Sequence, residues 1–97
     1  MNYIQSIAEK IKAAVPAEKL PDAPNIDALF ASYAVLLLAK GEAVTAEDVH
    51  NAWAAWMSQD NEAHSSIKPF SELSGDIQLE DEPFVHAIRQ VAHTLTD

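Results

Sequence analysis

The sequence predicts an all-α fold. We expect a compact bundle of about four main helices around a central apolar helix at residues 26–40, with an ordered, proline-containing loop or short turn at 64–74. Three observations carry this. Apolar residues recur at three- and four-residue steps in separate segments, the spacing of a helix face. The run "ALFASYAVLLLA" is apolar on nearly every side, as a helix at the centre of a core is. No segment alternates with the two-residue period of a strand. The 97 residues fit a single domain over 1–97. A domain of this size buries about 60–65% of the surface its unfolded chain exposes.

The first helix is read over 3–15. Ile4, Ile7, Ala8, Ile11 and Val15 form its apolar stripe and Asn2 can cap its start. Pro16, Pro21 and Pro24 then stiffen a linker-like segment and disfavour helix before each. The central helix starts at Asn25 or Ile26, with Asp27 favourable at the positive end of the dipole. It ends at Lys40, with Gly41 as C-terminal cap, and its all-round apolarity implies that several elements surround it.

The third helix has the clearest start. Thr45 is the N-cap, and Asp48 stands where Glu or Gln usually completes a capping box. Val44 can staple onto Val49 or its neighbours. Val49, Ala52, Trp53, Trp56 and Met57 follow at helical spacing. Of the two tryptophans, Trp53 is assigned to the core, and Trp56 is left open between core and surface groove. After the polar "QDNEAHSS", Pro69 opens a single turn, and Ser74 or Asp76 can start a short helical piece. Pro83 belongs in a first turn, so the last helix starts near 80–82 and buries Phe84, Ile88, Val91, Ala92 and Leu95.

Net charge is −9, and residues 1–40 sum to zero. Beyond them Lys68 and Arg89 stand against eleven acids. Such a surface repels nucleic acid and anionic membranes and favours a basic partner. No apolar run reaches the roughly 20 residues a membrane-spanning helix needs. The mixed N-terminal segment lacks a signal-peptide core, which with the absence of cysteine is compatible with a cytoplasmic setting.

Catalytic signatures are sparse. His86 and His93 lie two turns apart, about 10.5 Å along a helix, too far to share an ion directly. Glu80, Asp81 and Glu82 suit the start of a helix, where negative charge is favourable. There is no nucleophile elbow and no glycine-rich phosphate loop among only two glycines. No catalytic residue, metal or cofactor is expected.

Residues 49–81 carry a resemblance. "VHNAW" places His50 and Trp53 three apart. After a polar gap come His64, Ile67, Pro69, Phe70 and Leu73 in "HSSIKPFSEL", then Asp81. This resembles the ryanodine-receptor-type repeat over about 46–82, although Asn51, Ser65 and Lys68 depart from that pattern, and the family's Gly-Trp segment and the basic residues of its last helix are missing. The whole chain is also similar to small stand-alone proteins of actinobacteria and their bacteriophages. The resemblance implies a binding role, with His50, Trp53, Trp56, His64, Pro69, Phe70 and Asp81 as candidate contacts to a ligand or partner.

Three functions follow as expectations. The first is a non-enzymatic helical interaction protein, a phage or bacterial accessory factor that binds a host or cellular protein. The second is a module for nucleotide-like ligands, its pocket between the Trp53 helix and the Pro69–Leu73 segment, with His50 and Asp81 as polar contacts. The third is an acidic mimic of DNA, which requires the acids from Glu42 to Glu82 to line one face. Within "HSSIKPF", Ile67 and Phe70 should peg the segment to the core.

Overall fold

A computed structural model describes residues 1–96. The chain folds into α1 (Tyr3–Ala14), α2 (Ile26–Lys40), α3 (Ala46–Ser58), the short α4 (Gly75–Leu79) and α5 (Glu82–Thr96). Single 3-10 turns lie at Ala17–Lys19, Gly41–Ala43 and Phe70–Glu72. No strand occurs among the described residues. The radius of gyration of 12.9 Å is that of a compact chain of this length.

Local sequence sets the helix ends. The Asn2 Oδ1 accepts from the Gln5 backbone N–H at 2.9 Å, and the Asn2 N–H donates to Gln5 Oε1 at 3.0 Å. This makes a full capping box of which the sequence reading had only Asn2. At α3 the short Asp48 side chain does reach back. Its Oδ2 accepts from the Thr45 N–H at 2.9 Å while Thr45 Oγ1 accepts from the Asp48 N–H at 3.2 Å. Lys40 Nζ holds the same carboxylate at 2.9 and 3.1 Å, tying the end of α2 to the start of α3. Val44 and Val49, the expected staple, are both fully buried. Gly41 ends α2 at φ 57°, a left-handed conformation that suits glycine.

One hydrophobic core joins α1, α2, α3 and α5. From α2 it takes Leu29, Phe30, Tyr33, Ala34 and Leu37. The helix is not surrounded, as its apolarity implied: Val35 and Leu38 remain 54% and 52% exposed. A chain this short supplies only three other long helices, and these cover one side of α2. Pro83 lies in the first turn of α5, so it starts that helix rather than kinking it. Val85, Ala87, Ile88, Val91 and Ala92 of α5 are buried, whereas Leu95, assigned to the core stripe, is 44% exposed near the chain end. Arg89 Nε and Nη2 donate to the Val44 carbonyl at 2.9 and 2.7 Å, clamping α5 to the α2–α3 corner.

Trp56, left open by the sequence, is settled, and Trp53 packs only partly against the core to which it was assigned. Trp56 is the core residue, 7% exposed, and its Nε1–H donates to the Asn25 carbonyl at 2.9 Å. Asn25 sits at φ 66°, so this bond fixes a left-handed residue at the mouth of α2. Trp53 is half-buried. One helical turn between them turns the two rings toward different surroundings.

The 64–74 segment is ordered by its own backbone. The Glu72 N–H donates to the Pro69 carbonyl at 2.9 Å and the Leu73 N–H to that of Phe70 at 3.1 Å. From α4, Gln78 Nε2 donates to the carbonyls of Phe70 and Leu73 at 2.9 and 3.2 Å. Leu73 is buried; Ile67 and Phe70 are only half-buried, so Leu73 is the main peg.

Candidate functional site

An aromatic cleft opens where α3, the 18–21 segment, α4 and the start of α5 meet. Its volume is about 580 Å³, and its lining includes Tyr33, His50, Trp53, His64, Asp81 and Phe84. The α3 helix brings His50 and Trp53 to one side because they stand one turn apart. Their rings stack at 5.7 Å with 26° between planes, and His64 meets Trp53 edge-on at 5.1 Å. On the core side, Tyr33 and Phe84 lie 5.7 Å apart, with Phe30 beneath Tyr33 at 5.3 Å.

The two histidines have the same tautomer in their neutral forms, with the hydrogen on Nε2. His50, 3% exposed, has Nε2 at 2.7 Å from the Lys68 carbonyl oxygen. A carbonyl only accepts, so this nitrogen carries the hydrogen and Nδ1 is left an acceptor. At His64, Nδ1 accepts the Ser66 backbone N–H at 3.1 Å, which leaves Nε2–H as a donor.

Asp81 supplies the charge at the α4–α5 corner. Burial pushes its carboxyl up to about 6; His50 opposes the shift, and the flanking Glu80 and Glu82 add to it. Its carboxylate has no ion pair among the described residues. Burial, and then the negative field of Asp81, also hold the Tyr33 phenol well above its usual range. Among the described residues no three His, Asp or Glu side chains converge to hold a metal ion.

Four of the seven candidate contacts therefore meet: His50, Trp53, His64 and Asp81 line one cleft. Pro69 and Phe70 do not reach it. They line a shallower groove of about 330 Å³ on the other side of His50, with Asn51, Ala54 and Ile67. The wall expected from Pro69–Leu73 is supplied instead by α4 and α5, because Phe70 packs 6.1 Å from His50 on that second side. Trp56 lines neither groove, being committed to the core. Tyr33 and Phe84 were not singled out as site residues. Each reads as a core aromatic on its own helix, and only tertiary packing sets them beside Trp53 in the cleft.

The fold and cleft define a small all-helical protein with an aromatic, acid-edged cavity beside its core. A family model matches residues 2–93, and the chain belongs to that family, described as a domain of unknown function, DUF7701. No curated protein and no solved structure matches it. No helix of the described residues is long and apolar enough to cross a membrane.

Proposed function

We propose that the protein is a non-enzymatic binding module, and that its cleft receives a group carried by a protein partner. One observation carries this reading: residues from five separate parts of the chain converge on a cavity of about 580 Å³ with an aromatic wall and an acidic edge. Such cavities are the usual form of a recognition site. The ryanodine-receptor-type resemblance points the same way, since residues 50–81 supply His50, Trp53, His64 and Asp81. The excess of acids after residue 40 favours a basic partner, which fits an accessory role toward a host or cellular protein in a bacterial or phage setting.

The test is an NMR titration of the full chain with N-acetyl amino-acid amides and nucleosides of differing charge. Saturable shifts of the Trp53 indole N–H and of the His50 and His64 rings are expected for at least one class. Silence of all three reporters across the panel removes the reading. Shifts with nucleosides alone replace the protein partner with a nucleotide-like ligand.

A further inference from the structure

Resting on the binding-module reading, we infer that the group received is the guanidinium of an arginine side chain, held between the Trp53 wall and the Asp81 carboxylate. The cleft lining carries Glu18, Asp76, Glu80 and Asp81 against one lysine, Lys19, and the two histidines His50 and His64. An anionic ligand would meet this excess of acids at close range, where like charges cost most. A cation gains from it.

The aromatic wall narrows the choice. Trp53, with its stacked His50 and edge-on His64, makes an aromatic wall on one side of the cavity. A cation over such rings is attracted by their quadrupole, most strongly when it is desolvated. Guanidinium is planar and weakly hydrated, so it stacks on rings and enters a half-apolar cavity at smaller desolvation cost than ammonium.

The polar groups match a donor-only ligand. Guanidinium has five N–H donors and no acceptor. Asp81 offers an acceptor carboxylate without an ion pair among the described residues, and in the neutral form of His50 the bond to the Lys68 carbonyl leaves Nδ1 an acceptor. Lys19 is exposed and likewise makes no ion pair among those residues, so no lysine or arginine occupies the Asp81 carboxylate, and His50 is the nearby group that favours its charged form. Partial burial, with Glu80 and Glu82 beside it, raises the Asp81 carboxyl, and a bound cation would favour its charged form.

The experiment compares five probes on the full chain by the Trp53 indole signal. They are N-acetyl-arginine amide, its neutral isostere N-acetyl-citrulline amide, N-acetyl-lysine amide, free agmatine, and a capped Ala-Arg-Ala peptide. We expect arginine amide to saturate the signal, citrulline not to, lysine to bind more weakly than arginine, and the peptide to bind at least as tightly as agmatine. Asp81→Asn should weaken arginine binding about tenfold, and Lys19→Ala, an exposed site that leaves folding intact, should strengthen it.

Equal binding of citrulline and arginine, or no change in either variant, overturns the inference. Lysine matching arginine overturns the choice of guanidinium, and agmatine outbinding the peptide overturns the protein-borne source. If a neutral or acidic probe shifts Trp53 while arginine does not, the inference falls and the binding-module reading stands. If none of these probes and none of the wider amino-acid amide and nucleoside panel shifts Trp53, His50 or His64, both fall.

Discussion

The His50 imidazole donates from Nε2 to the backbone carbonyl of Lys68 across 2.7 Å, bridging α3 to a loop 18 residues further on. The bond orders the 64–70 segment, fixes the histidine tautomer, and separates the aromatic cleft from the groove under Phe70. His50→Phe keeps a ring but removes the donor and leaves that carbonyl unpaired. It should cost about 1–3 kcal/mol in urea unfolding. Amide exchange should accelerate across 64–70 and stay slow in α2.

Leu73 and Phe70 should rank opposite to their sizes. A fully buried Phe→Ala costs about 3–5 kcal/mol, but the Phe70 ring is half-buried, and about 1–2 kcal/mol is expected. Leu73→Ala, at a buried site, should cost about 2–4 kcal/mol. Chemical denaturation of both variants checks the order; a larger loss at Phe70 would contradict this placement.

Trp56→Phe removes the hydrogen bond to the Asn25 carbonyl and should cost about 1–2 kcal/mol. The remaining fluorescence then comes from Trp53 and should be red-shifted and readily quenched by acrylamide. Trp53→Phe should leave the blue-shifted, protected emission of Trp56.

Asp81 sets a pH dependence of defined sign. Its folded carboxyl is pushed up to about 6, above the unfolded value of about 3.9, so the native state binds the proton more tightly. Its contribution to stability is therefore full below about pH 4 and is lost as pH rises to about 6. Asp81→Asn should flatten that part of the profile. At pH 7 it should raise stability by about 1 kcal/mol, a figure already reduced for solvent screening of a half-exposed group. Urea midpoints of both proteins between these pH values decide it.

Arg89→Lys replaces a two-pronged clamp on the Val44 carbonyl by a single flexible donor. A loss of about 1 kcal/mol in thermal unfolding is expected, with the helical content unchanged.

The sequence by itself determined the elements. Caps at Asn2 and Thr45, the stop at Gly41 and the first-turn Pro83 are local: each depends on groups within a few residues, so their spacing in the chain is their spacing in space. The apolar stripes of α1 and α5 were legible for the same reason. The candidate site was legible where it followed one helix or one short motif, as for His50 and Trp53. Its remaining walls were not. Which side of α2 is bare, which tryptophan is core, and the meeting of Tyr33 and Phe84 beside the named residues Trp53 and Asp81 depend on how helices pack. Packing brings together residues far apart in the chain, such as those of α1 and α5, through apolar burial, which has no direction along the chain. A helix that is apolar all round carries no signal for its exposed face, and two tryptophans one turn apart carry none for which of them turns inward. Tertiary structure alone decided these, and with them the cleft.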